Sequence, residues 1–120
     1  MTPFRLSPPE RESVIRKIAE NLDIALWIVR KSSRTDAQLV TLLRDSPHCQ
    51  YHKHILSQLR PLHDIHHTRG RLPSNDQPEY CIGLCFECHR RVENALGAPT
   101  NDELIALLAE LTTPESNPLP

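Results

Sequence analysis

Apolar residues recur every three to four positions through the first quarter of the chain. Val14, Ile15, Ile18, Leu22, Ala25, Leu26 and Val29 carry the pattern, with Arg11, Lys17 and Glu20 elsewhere around the turn. That period is helical and predicts one amphipathic helix ending near Arg30. Ser7-Pro8-Pro9-Glu10 supplies its start: Ser7 can accept from the first-turn backbone, proline fits where no N–H is needed, and Glu10 completes a capping box. Trp27, the sole tryptophan, falls within this stretch and reads as a packing residue. Lys31-Ser32-Ser33-Arg34 breaks the pattern, and its basic group with Arg30 reads as a solvated helix end. Thr35, with Gln38 three residues on, opens a shorter helix carrying Leu39, Val40, Leu42 and Leu43, which Asp45-Ser46-Pro47 stops.

The period then changes. Asp64-Ile65-His66-His67 alternates as a short strand does, residues 68–76 read as a loop, and Tyr80-Cys81-Ile82-Gly83-Leu84 as the returning strand. A helix follows from about Cys85, and the stretch 51–59 also has helical character. Gly97 and Pro99 end one helix, while Thr100 with Glu103 starts another whose Leu104, Ile105, Leu107, Leu108 and Leu111 should cover core or a partner. Residues 112–120 are rich in proline and polar side chains, which predicts a flexible tail.

Composition narrows the class. The chain has 120 residues, enough for one small domain, and a formal charge of -1, so no overall positive field draws it to nucleic acid or membranes. A DNA contact would have to come from a local patch. No apolar run approaches the roughly 20 residues of a membrane span, and the amino terminus lacks a signal-peptide pattern, so no membrane association and a cytoplasmic location are expected. No glycine-rich phosphate loop points to an organic cofactor.

All seven histidines and all four cysteines lie between His48 and His89. In a reducing compartment such a cluster favours thiolate ligation of a metal over disulfides or free thiols. Cys49-x-x-His52 and Cys85-x-x-Cys88 each have the spacing at which one turn presents two ligands to a tetrahedral ion, and together they make a closed Cys3His zinc site. His54 could replace His52, and Cys81 lies close enough to compete. On the helix after Cys85, His89 and Glu93 share a face, while Cys88 points about 100 degrees away, so one helix can serve two ions. His48, His54 and His63 read as surface or supporting residues, and Asp64 as a partner that holds a histidine tautomer or as a strand-edge charge.

The order His66-His67, loop, strand, Leu84-Cys85-Phe86-Glu87-Cys88-His89, with Glu93 four residues on, resembles the HNH endonucleases. Within that family it is similar to the zinc-stapled treble-clef members common in phages and mobile elements. The resemblance covers roughly residues 49–94. It implies a treble-clef ββα-metal core with its zinc site (47–97) and leaves the helical flanks unaccounted for; with the helices read from periodicity, the expected fold is α+β, with a helical amino-terminal scaffold (1–46), that core, a carboxy-terminal helix (98–111) and the tail (112–120). It also implies hydrolysis of DNA phosphodiester bonds, with His66, His89 and Glu93 holding a catalytic divalent ion (Mg2+, Mn2+, Ni2+ or Zn2+) and His67 as general base. An imidazole with a pKa of about 6.5 suits that task, and three protein ligands leave positions for phosphate and water. Arg69, Arg71, Arg90 and Arg91 flank the motif and are candidate phosphate contacts. The chain departs from the family in having no asparagine in the returning strand near Tyr80 to orient the base; Asn75 or the Tyr80 backbone could substitute. The alternative is a zinc-stabilised module without catalysis that binds DNA or, through the helical flanks, a protein partner.

Overall fold

Capping sets the helix boundaries in the computed structural model, which describes residues 4–112. Helix α1 spans Pro8–Leu22 and opens on the expected box, with Ser7 N donating to Glu10 Oε1 (2.9 Å) and Glu10 N to Ser7 Oγ (3.3 Å). It stops earlier than the periodicity predicts. Asp23 adopts the left-handed conformation (φ 53°) and its N–H bonds back to Ala19 and Glu20, so the chain turns before α2, Leu26–Lys31. The apolar pattern runs on unbroken because Leu22, Leu26 and Val29 return to the same cluster from two helices. Trp27 is corrected as well: Leu26 and Val29 face inward, so the residue beside them faces out, and Trp27 is 64 % exposed. Helix α3, Asp36–Asp45, starts on the Thr35/Gln38 box and ends before Ser46.

Helix α4 is a single turn, Gln50–His54, shorter than the helical stretch 51–59 expected from sequence. Strands β1, Asp64–His67, and β2, Cys81–Leu84, then pair antiparallel with Asp64 opposite Leu84, Ile65 opposite Gly83, His66 opposite Ile82 and His67 opposite Cys81. Two short 3-10 turns, Pro73–Asn75 and Pro78–Tyr80, lie between the strands. Helix α5 spans Phe86–Glu93 and α6 spans Asn101–Thr112, the latter capped by the Thr100/Glu103 pair. On α6, Leu104, Leu107 and Leu108 are buried, whereas Ile105 is exposed. Of the tail expected over 112–120, Thr112 is instead the last residue of α6, and 113–120 lie outside the described residues. None of the described helices is long and apolar enough to cross a membrane.

Alternation along the hairpin splits the core in two. Ile65 and Cys81 pack with Ile15, Ile18, Val29, Leu39 and Leu42 of α1–α3 on one face. Ile82 and Leu84 pack with Tyr51, Leu104, Leu107, Leu108, Cys49, Cys85 and Cys88 on the other. The fold is therefore mixed: helices cover both faces of a two-stranded sheet.

A part-buried ion pair pins β2 to α3. Arg44 donates through Nε and Nη2 to the Asp45 carboxylate (2.6 and 2.8 Å), Asp45 Oδ2 accepts from Gly83 N (2.8 Å), and Arg44 also donates to the carbonyls of Pro78 (2.9 Å) and Cys81 (2.6 Å). The approach requires glycine at position 83, where a Cβ would overlap Leu62 Cδ1 and stand 3.1 Å from Asp45 Cβ. The strand that leads into α5 is thereby fixed against the helical half.

Candidate metal centres

Two helix starts converge on the first centre. Cys49 is the N-cap of α4 and Cys85 the N-cap of α5, so three-residue spacing places His52 and Cys88 in the first turn of each. His52 Nδ1 stands 3.4 Å from Cys49 Sγ, 3.6 Å from Cys85 Sγ and 3.3 Å from Cys88 Sγ. Tetrahedral zinc with ordinary bond lengths sets such nitrogen–sulfur edges at about 3.5 Å. All four side chains are buried and all four ligand atoms lie within 4.8 Å of one another. The cysteines are free thiols. Hydrogen bonding with Cys88 above all, helped by His52, pulls the Cys49 thiol down to about 4 against the opposing effect of burial, while the same contact pushes Cys88 up. One thiolate is accommodated at the expense of its neighbour, as expected where closely packed sulfurs need a cation before all can ionise. The Cys88 N–H donates to Cys85 Sγ (3.4 Å), which aims that sulfur at the helix start. This donor set fits a zinc ion. The two alternative ligands are elsewhere: His54 Nε2 pairs with Gln50 Oε1 (3.1 Å), and Cys81 sits on the opposite face of the sheet.

A second group forms where β1 meets α5. His66, His89 and Glu93 bring one ligand atom each within 4.8 Å. His89 Nε2 and Glu93 Oε1 are 3.0 Å apart, yet the nitrogen is buried without a hydrogen bond, because the carboxylate lies off the N–H direction. Donors side by side at about 3 Å are what two adjacent ligands of one octahedral ion require at bond lengths near 2.1 Å. The His66 ring is held from α6. Asn101 Nδ2 donates to Thr68 O (2.9 Å), which turns its Oδ1 toward His66 Nε2 (2.8 Å). His66 therefore carries its proton on Nε2 and keeps the Nδ1 lone pair for a ligand bond. Burial, more than any charge, lowers its pKa and keeps the ring in the neutral form that binds metals. Asp64 Oδ2 stands 3.9 Å from His89 Nδ1 and Asp64 Oδ1 stands 3.6 Å from Arg34 Nη1, so Asp64 lies beside the site as a supporting charge.

His67, one residue further along β1, joins neither group. Its Nε2 is 3.1 Å from Asp76 Oδ1, and Cys81 lies beside the pair. Burial, with a smaller effect from the Asp76 charge, pushes the Cys81 thiol up to about 12. Neither substitute for the absent asparagine contacts His67: Asn75 Nδ2 donates to Arg69 O, and Tyr80 O accepts from Thr68 N and Oγ1. Asp76 and Asn101 are the two site residues that sequence reading missed. Asn101 was legible only as a helix start, and Asp76 only as a loop residue.

Arg69, Arg71 and Arg90 are exposed, and none takes part in an ion pair among the described residues. Arg69 lies over the Tyr80 ring (4.3 Å), which leaves its N–H edges free. Arg91 is partly committed, donating to Leu96 O (2.9 Å). His63 stacks edge-on against Phe86, and His48 bridges to Pro61.

No family model, curated protein or solved structure matches the chain. The geometry of the two centres therefore carries the functional reading.

Proposed function

We propose that the protein is a metal-dependent endonuclease of the HNH type, with a treble-clef zinc site that staples α4 to α5 and a second, exchangeable ion at His66, His89 and Glu93. The observation that carries this reading is the convergence of those three ligands, including an orphaned buried His89 Nε2, one residue along β1 from a histidine with a free ring nitrogen. A divalent ion bound there would stabilise charge on the phosphate and on the departing oxygen.

The chain's own groups supply the rest. His67 takes a proton from water through its free ring nitrogen, and the resulting hydroxide attacks phosphorus. As the new P–O bond forms, the bond to the departing sugar oxygen breaks; that oxygen takes up a proton from solvent, and His67 returns its own to solvent. Arg69, Arg71 and Arg90 provide unpaired positive charge for neighbouring phosphates, which fits DNA binding with little sequence preference.

The test is nicking of supercoiled plasmid by purified protein with magnesium, manganese or nickel, beside a His67→Ala protein shown to retain its zinc. Nicking by the parent alone is the expected result. If neither protein nicks under any ion although both are folded and zinc-loaded, the nuclease reading fails. The exposed Trp27, Ile24 and Ile28 around α2 would then favour a zinc-stabilised module that binds a protein partner.

A further inference from the structure

The hairpin loop holds a carboxylate against the ring of His67. We propose that Asp76 is the positioning residue for His67, holding the imidazole with its proton on Nε2 and its lone pair on Nδ1. The catalytic consequence rests on the nuclease reading above; the tautomer rests on geometry alone.

The inference starts from what each group can donate. Asp76 Oδ1 lies 3.1 Å from His67 Nε2, and the two side chains are 21 % and 5 % exposed. An ionised carboxylate only accepts hydrogen bonds, so the ring must present N–H at Nε2. A neutral imidazole has one N–H, which leaves Nδ1 as an acceptor. That nitrogen is buried and has no protein partner. Leaving a buried acceptor unsatisfied is costly, and such atoms are retained where chemistry uses them.

The consequence is specific to proton transfer. When water gives its proton to Nδ1, a hydroxide is left and the ring becomes an imidazolium with N–H at both nitrogens. Asp76 already faces the Nε2 side and so steadies the new positive charge without moving. A loop carboxylate just after the Pro73–Asn75 turn thus does what the resemblance assigns to an asparagine in the returning strand.

The substitution Asp76→Asn separates this role from a merely structural one. It keeps the shape, but its amide can donate to Nε2 and so favour the opposite tautomer, with the proton on Nδ1. The full-length, zinc-loaded protein labelled with 15N-histidine reports the tautomer by NMR at about pH 8, where an ordinary imidazole is neutral. The expected result is Nε2–H at His67 in the parent and a shift toward Nδ1–H in Asp76→Asn. Zinc content and KM should stay unchanged while the nicking kcat falls roughly a hundredfold or more. Asp76→Ala, which can neither accept nor donate, should give a mixture of tautomers. An unchanged His67 tautomer in both variants overturns the proposal. So does loss of one metal equivalent in Asp76→Asn, which would make His67, Asp76 and Cys81 an ion site. A parent that does not nick, but whose tautomer shifts as expected, removes the nuclease reading and leaves the positioning by Asp76 standing.

Discussion

Cys88→Ser should unfold or nearly unfold the protein, whereas Cys81→Ser should not, although both residues are buried free thiols. Cys88 Sγ is one corner of the four-ligand group, 3.3 Å from His52 Nδ1, and that group sits inside the cluster formed by Ile82, Leu84, Leu104, Leu107 and Leu108. Structural zinc sites in small domains contribute apparent free energies of about 10–16 kcal/mol at neutral pH. A whole domain of this size is stable by only about 5–15 kcal/mol. Losing even about 5 kcal/mol from a weakened three-ligand site would consume most of that margin, which at roughly 4 °C per kcal/mol means a fall in Tm of about 20 °C. Cys81 lies across the sheet, beside His67 and Asp76, where a serine hydroxyl costs about 1–2 kcal/mol and leaves the zinc ligands intact. The assay is thermal melting by circular dichroism, with zinc counted by mass spectrometry after dialysis against a mild chelator. A Cys88→Ser protein that melts within a few degrees of the parent would refute a stabilising zinc centre that includes Cys88. Equal losses in the two variants would refute the assignment of its ligands.

Three further outcomes follow from other parts of the structure. Gly83→Ala should lower stability by about 1–3 kcal/mol, because the new methyl meets Leu62 and crowds Asp45; urea denaturation should show part of the loss recovered when Leu62→Ala is added. Above pH 9 the unfolded chain gives up the Cys81 proton while the folded chain keeps it until about 12, so stability falls with rising pH across that window by up to about 1.4 kcal/mol per unit. Denaturation series at rising pH should show this slope in the parent and a flatter one in Cys81→Ala. Asn101→Ala should leave zinc in place but weaken manganese or nickel binding at the second centre by roughly 10- to 100-fold in calorimetric titration, because His66 loses the contact that fixes its tautomer. Unchanged affinity would mean that α6 has no part in that site.

What could be read from sequence was what depends on short separations. The capping boxes at Ser7, Thr35 and Thr100 involve residues three apart, and the structure contains all three. Likewise the strand Asp64–His67, the two Cys/His pairs and the His89/Glu93 face follow from local periods, and the structure brings their members together. The misses are of two kinds. One is a local backbone choice that the apolar period does not register: the left-handed Asp23 splits the first helix while both pieces keep feeding one cluster, and Trp27 turns outward. The other is long-range. Asp76 meets His67 across a loop, Asn101 meets His66 from another helix, and Asp45 meets Gly83 from α3, and no periodicity links such pairs.

Those long-range partners change the standing of the helical flanks. Adjacent residues on a strand point to opposite faces, so His66 and His67 can take separate tasks only if each face supplies its own orienting group. On the α6 side that group is Asn101, which fixes the His66 proton on Nε2; on the α1–α3 side it is Asp76, which holds Nε2 of His67. The hairpin that presents both histidines is held in turn by Arg44 and Asp45 of α3, through the carbonyls of Pro78 and Cys81 and the Gly83 N–H. A segment cut to residues 47–97 would keep every candidate ligand of both groups yet lose Asn101 and the Arg44–Asp45 clamp. The helices on either side of the Cys/His-rich stretch are therefore part of the candidate site: they set which nitrogen of His66 is free and keep β2 in register with the strand that carries the pair.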